Sequence, residues 1–279
     1  ESCLTGFPMV GTLPPWTPSA VPMQAKIPAL TCDDLRLKRI MLNKFVMSKV
    51  KPTEFEQDVW DGTWDGVSIG AMGVPVVVTP ENAKKANFTR RFPVREQRAH
   101  GWRSRLVDHY TESLVNVATD PTYACQHDTL DVLVLILLSI LKVTASVGMW
   151  KRDFKKAFNK VPVHFRHIDL LWVIFMFKDI LWASEVRGCP FGAVGSGQAW
   201  HRVCGLMVAV LRRLLMVPCG RYVDDVFGAG KQHVYWNGGR CLDLLSSLFG
   251  VALDPSKSVD DVSCMLVLGI VVQIEAVLR

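Results

Sequence analysis

The chain reads as an α+β protein in which an antiparallel sheet is backed by helices, and three observations predict it. The apolar run Val132–Leu141, flanked by Asp131 and Lys142, is too short to span a bilayer and reads as a buried helix. Ile168–Phe177 and Ile180–Val186 are rich in β-branched and aromatic residues, and Lys178-Asp179 between them makes a hairpin. Ser196–Val217 carries Ala199, Val203, Leu206, Val210 and Leu214 on one helical face until Pro218 stops it. Helices, strand, hairpin, helix, hairpin, helix and strand, in that order, lack the regular alternation of a parallel βαβ chain.

The remaining elements follow in order. Residues 1–30 are rich in proline (Leu13-Pro14-Pro15-Trp16, then Pro18) and predict an extended lead-in. The opening at Glu1, with no Met, reads as a fragment of a longer product. Asp33–Lys51 is basic and helix-compatible, with Leu35, Ile40, Leu42 and Phe45 as its apolar positions. Pro52–Asp65, with Pro52 near its start and acids in its first turns, reads as another helix. The helix over 129–142 has Asp128 or Thr129 as its N-cap. A loop at Ser146–Gly148 leads into a strand ending near Asp153, and Tyr222–Phe227 makes a second short hairpin. Asn237-Gly238-Gly239 is a turn, Leu242–Leu248 a helix and Met265–Gln273 a final strand.

At 279 residues and 49% hydrophobic, the chain can bury one large core or two small ones, and its 21% charged fraction excludes a disordered chain. The net charge of +6 suits a polyanionic partner without proving one. Its distribution is uneven. Lys84, Lys85, Arg90, Arg91, Arg95, Arg98, Arg103 and Arg105 cluster, opposed only by Glu81 and Glu96. Such a cluster contacts phosphates or forms a solvated basic loop. The eight cysteines show no metal-ligand spacing. With no signal peptide they read as reduced thiols of an intracellular protein, cytoplasmic or nuclear, not secreted and without a membrane partner. The histidines show no ligand spacing either.

The sharpest local feature is Tyr222-Val223-Asp224-Asp225-Val226-Phe227, two acids inside an apolar strand pattern. Asp is disfavoured in strands and adjacent carboxylates repel, so the pair calls for a cation or an exposed loop tip. Asp153 supplies a third acid at the end of its own strand. Three hard oxygen ligands without His or Cys suit Mg²⁺, and two such ions support in-line phosphoryl transfer.

These segments together resemble the motifs of reverse transcriptases. Asp153–Val163 (DFKKAFNKVPV) is similar to the first palm motif, an Asp followed five residues later by an aromatic, and Tyr222–Asp225 (YVDD) to the Tyr-x-Asp-Asp motif. Gly188–Ser196 (GCPFGAVGS) resembles the Pro-x-Gly-x-x-x-Ser turn that opens the helix under the template. Leu253–Lys257 (LDPSK) and Leu268-Gly269 resemble the later palm motifs. Order and spacing agree over roughly residues 90–270.

The resemblance implies a right-hand polymerase fold, with fingers over 31–145, a palm over 146–275 that contains the Ile168–Val186 hairpin, and a thumb absent or truncated. It implies an RNA-directed DNA polymerase acting on an RNA template, a DNA or RNA primer and dNTPs, with two Mg²⁺ ions for which Mn²⁺ substitutes. Asp153, Asp224 and Asp225 are then the catalytic metal ligands, helped by the Phe154 carbonyl. Trp102–Asn116 is similar to the fingers strand that grips the triphosphate, which makes Arg103 and Arg105 both candidates, because a guanidinium fork pairs two phosphate oxygens. Phe158 lies where the family excludes a 2′-hydroxyl, Phe191 and Gly192 where the nascent pair approaches, and Lys257 where the pyrophosphate is neutralised. Tyr222, Ser196 and Gly269 fall at primer and template positions. Phe191 stands where retroviral members carry Gln. The rival readings are a catalytically inactive nucleic-acid-binding remnant and an RNA-dependent RNA polymerase; Phe158 argues against the latter.

Overall fold

The computed structural model describes residues 5–13, 15, 21–24, 28–98, 101–234 and 237–277. Cys3, Pro14, Trp16 and Pro18 lie outside the described residues, as does the side chain of Arg98. In chain order the elements are β1 (Gly11–Leu13), α1 (Cys32–Leu37), α2 (Arg39–Lys49), α3 (Glu56–Ser68), β2 (Val76–Val77), α4 (Pro80–Lys85), β3 (Phe88–Arg98), β4 (Gly101–Asp108) and β5 (Thr119–Pro121). There follow α5 (Leu130–Leu141), β6 (Val147–Asp153), β7 (Trp172–Phe177), β8 (Ile180–Glu185), α6 (Val194–Arg213), β9 (Cys219–Tyr222) and β10 (Asp225–Lys231). The last are α7 (Gly238–Leu248), β11 (Val259–Val262), β12 (Cys264–Val267), β13 (Ile270–Gln273) and α8 (Ile274–Val277). The fold is α+β. Contacts divide it into two interleaved units, Glu1–Ala124 with Phe158–Ala199, and Cys125–Ala157 with Trp200–Arg279.

In the first unit a five-stranded sheet runs β2-β8-β7-β3-β4. It is antiparallel except where β3 meets β7 in parallel. The β7–β8 hairpin turns at Lys178-Asp179, both at positive φ (51° and 60°), which matches the right-handed strand twist although neither is glycine. Ile168–Leu170, expected in β7, instead lies in the 3₁₀ helix Phe165–Leu170. The expected single helix over 33–51 is two, α1 and α2, and α1 opens with a Thr31–Asp34 capping box. Its apolar face is also corrected: Leu35, Leu42 and Val46 are buried, whereas Ile40 and Phe45 are exposed. Asn43 sets that orientation. Its amide donates to the Ala83 and Ala86 carbonyls at 2.8 Å and its carbonyl accepts from Phe88 N–H at 2.8 Å. α3 starts at Glu56, so Pro52 stands outside it.

In the second unit a four-stranded antiparallel sheet runs β11-β6-β10-β9. Leu133 and Leu137 of α5 pack on Val147, Met149, Phe227 and Ala229, with Met265, Val267 and Val272 closing the cluster. Each fully buried leucine contributes about 1.5–3 kcal/mol. α5 is not buried all round as its composition implied: Leu135 is 62% exposed. α6 ends at Arg213, short of Pro218, because Leu215 and Val217 N–H bond back to Val210 and Leu211 and Met216 turns to positive φ. Its buried face is Trp200, Cys204, Met207, Val208 and Leu211, not the stripe through Leu206 and Leu214, which are exposed. Both stripes are apolar, and the bulkier one with Trp and Met takes the core.

Asn237 is the N-cap of α7, its side chain accepting from Arg240 N–H at 2.9 Å, so the Asn-Gly-Gly turn is already the helix start. The expected final strand is a hairpin, β12–β13, folded at Leu268-Gly269 (φ 50° and 80°). The cysteines described are free thiols. No helix among the described residues is long and apolar enough to cross a membrane.

Candidate active site

The β9–β10 hairpin has a two-residue turn, Val223-Asp224, with Tyr222 opposite Asp225. A turn this short fixes the register. β10 then pairs with β6 so that Asp225 lies directly opposite Asp153 at the end of the ladder. Phe154 N–H donates to the Asp224 carbonyl at 3.2 Å, tying the turn to the residue after Asp153. The backbone pairing therefore brings the three acids named from sequence to one sheet end.

Lysines from two directions meet them. The 3₁₀ helix Pro255–Lys257 is capped by Asp254, whose own N–H donates to the Asp153 carbonyl at 2.8 Å. This brings Lys257 Nζ to 3.0 and 3.1 Å from the two Asp153 oxygens. Lys151, two residues before Asp153 on the same strand face, puts Nζ 3.1 Å from Asp225 Oδ1.

Burial pushes the Asp224 carboxyl above the ordinary aspartate range, with Asp153 adding to it and Lys257 and Lys151 opposing. Burial likewise pushes Asp225 up, against the pull of Lys151 and with Asp153 and Asp224 adding. Lys257 is raised by its hydrogen bond to Asp153. For Asp224 and Asp225 burial thus outweighs the neighbouring lysines, and carboxylate oxygen is the donor type a Mg²⁺ ion takes. Among the described residues no three His, Cys, Asp or Glu side chains stand close enough together to hold a metal ion.

Other expected residues of this unit lie nearby. Phe154 is buried and edge-on to Trp200 at 5.0 Å. Tyr222, 43% exposed, ends β9 with its ring 5.1 Å from His127. Gly269 lies in the β12–β13 turn.

In the other unit, Arg105, Phe191 and Phe158 sit side by side. The Arg105 guanidinium lies 4.1 Å over the Phe191 ring, and Phe158 meets that ring edge-on at 6.2 Å. Arg103 is exposed and makes no ion pair or hydrogen bond among the described residues. Gly192 has φ 98°, and a Cβ there would stand 2.9 Å from the Asp108 carbonyl oxygen, so the position demands glycine. Ser196 is buried and its hydroxyl donates to Pro190 C=O at 2.6 Å. Arg90 and Arg91 are neither loop nor free cation: they pair with Glu112 and Asp108.

Sequence reasoning missed Lys151, His127 and Trp200. Strand periodicity puts Lys151 on the face of Asp153 and was a usable signal. No local pattern marks His127 or Trp200, which reach the turn only through tertiary folding.

No protein-family model matches the chain, and no curated protein matches it. Many solved structures are similar to it, among them two of retroviral enzymes. One is the foamy viral protease-reverse transcriptase in complex with double-stranded DNA, at 15% identity and TM-score 0.48, covering 80% of this chain and 34% of that one. The other is the native Prototype Foamy Virus protease-reverse transcriptase, at 19% identity and TM-score 0.47, covering 80% of this chain and 26% of that one. The chain therefore spans about a third of the first and a quarter of the second.

Proposed function

We propose that the chain is an RNA-directed DNA polymerase of right-hand architecture, extending a primer 3′-hydroxyl with dNTPs on an RNA template. One observation carries the reading: Asp153, Asp224 and Asp225, picked out by motif order, converge at one end of an antiparallel sheet with Lys257 beside them. The sheet β11-β6-β10-β9 is then the palm.

Asp153, Asp224 and Asp225 do not stand close enough together here to hold a metal ion, so the reading requires that Asp153 and Asp225 release Lys257 and Lys151 and that the three close around Mg²⁺, which would neutralise phosphate charge and acidify the attacking hydroxyl. The protein's own residues do the rest. Lys257 gives up its hold on Asp153 to neutralise the departing pyrophosphate, and Tyr222 supports the primer end. Arg105 or Arg103 pairs with phosphate oxygens. Phe158 selects deoxynucleotides, leaving no room for a 2′-hydroxyl. Nucleic-acid affinity falls steeply with salt, since phosphate contacts dominate it.

A second reading has an observation in its favour. Lys151 and Lys257 already pair with Asp225 and Asp153, an arrangement a non-catalytic nucleic-acid-binding remnant could keep without a metal. Extension of a DNA primer on an RNA template with Mg²⁺, offering dNTPs and NTPs separately beside Asp225→Asn, separates them. Extension with dNTPs, lost in the variant while nucleic-acid affinity persists, supports the polymerase. Binding without extension in either protein supports the remnant.

A further inference from the structure

Val223, the first turn residue between the paired acids and Tyr222, has φ 53°. Of the described non-glycine residues at positive φ it is the only β-branched one, and a branched Cβ is the least tolerant of that conformation. The turn is held there by side chains from outside the hairpin. Val223 N–H donates to His127 Nδ1 at 3.2 Å, and Val223 C=O accepts from Trp200 Nε1 at 2.8 Å. Both peptide groups flanking the strained Cα are thus gripped.

The grip is anchored. Asp128 N–H donates to Arg221 C=O at 2.8 Å, and Asp128 Oδ2 accepts from Arg221 N–H at 2.9 Å and from Arg212 at 2.5 Å. These bonds stitch the segment carrying His127 onto β9. The Trp200 indole packs on buried Phe154, whose N–H holds the Asp224 carbonyl.

We infer that His127 is a positioning residue: with the Trp200 indole it clamps Val223 in the left-handed conformation and so fixes the directions of Tyr222, Asp224 and Asp225. The functional consequence rests on the polymerase reading above; the clamp itself does not. With Nδ1 accepting, the ring proton sits on Nε2 and the imidazole is neutral. Burial, with the Arg221 guanidinium, favours that form by lowering the His127 pKa against Asp128. Strain held by over-determining neighbours is what functional turns store.

The test compares His127→Leu, His127→Asn and His127→Leu/Val223→Gly with the wild type by amide hydrogen exchange at residues 222–225, by thermal melting and by primer extension. Asn places its Oδ1 near the position of Nδ1, so it keeps the acceptor. Exchange at the turn should quicken by about tenfold in His127→Leu, the worth of one hydrogen bond in a strained turn. His127→Asn should recover most of this, whereas glycine at 223, which adopts positive φ without strain but restores no acceptor, should recover the melting temperature and leave the exchange at 223 fast. In extension, His127→Leu should lower kcat with KM nearly unchanged, and Asn should restore it. Unchanged exchange in His127→Leu overturns the clamp. Equal losses in the Leu and Asn variants also overturn it, by showing that ring volume alone matters. If the wild type extends no primer, the polymerase reading fails, while the exchange comparison still decides the clamp.

Discussion

Arg91 decides whether the basic cluster is nucleic-acid surface or internal scaffold. Its guanidinium forks onto Asp108 at 2.7 and 2.9 Å, directly across the β3–β4 ladder, and its third nitrogen reaches Thr63 Oγ1 at 3.0 Å. The two side chains are only 9% and 6% exposed. Arg91→Met therefore strands a carboxylate with no counter-charge, which costs about 3–5 kcal/mol. At roughly 2–4 °C per kcal/mol for a unit of this size, the melting temperature falls by about 6–20 °C. Thr63 is not stranded, because its hydroxyl still donates to Val59 C=O at 2.7 Å. Arg91→Met/Asp108→Leu, which removes both charges, should regain most of the loss. Arg103→Met is the control: exposed and unpaired among the described residues, it should shift stability by no more than about 0.5 kcal/mol. Melting by circular dichroism on the four proteins reads all of this. An Arg91→Met protein melting within about 2 °C of wild type would refute the reasoning and return Arg91 to the pool of phosphate ligands.

Three further outcomes follow from the same geometry. The raised Asp224 carboxyl is favoured as the neutral acid in the fold, so its contribution is present below the ordinary value of 3.8 and is lost as pH rises through the raised one. Asp224→Asn should therefore melt higher than wild type at neutral pH, with the gap closing in acid. Extension by the wild type should fall in acid, with a midpoint that moves to lower pH as Mg²⁺ is raised, because bound metal competes with the proton for the carboxylates. Phe158→Ala should raise incorporation of NTPs relative to dNTPs by at least about tenfold, read by competition on one template.

Much of the site was legible because its signals are local. Two acids in a strand pattern, a third acid at another strand's end, and a two-residue hairpin suffice to bring Asp153 opposite Asp225. The Lys178-Asp179 hairpin was legible for the same reason. What failed was face and boundary. α6 offers two apolar stripes, and sequence alone does not say that Trp200 and Met207 outbid Leu206 and Leu214 for the core. α2 is oriented by a buried Asn43, which a hydrophobic pattern discounts. The Met265–Gln273 strand hid a turn because Leu268 at positive φ leaves no mark in composition. The acids' lysine partners, and the His127–Trp200 grip on Val223, arise only after folding.

The central claim is that Asp153, Asp224 and Asp225 act as one catalytic unit, and single-turnover extension by Asp153→Asn, Asp225→Asn and their double variant tests it most directly. Groups that act as a unit are non-additive, so each single variant should lose roughly a thousandfold and the double should be little worse than either. Retention of activity within about tenfold in either single variant, or losses that multiply in the double, would contradict it.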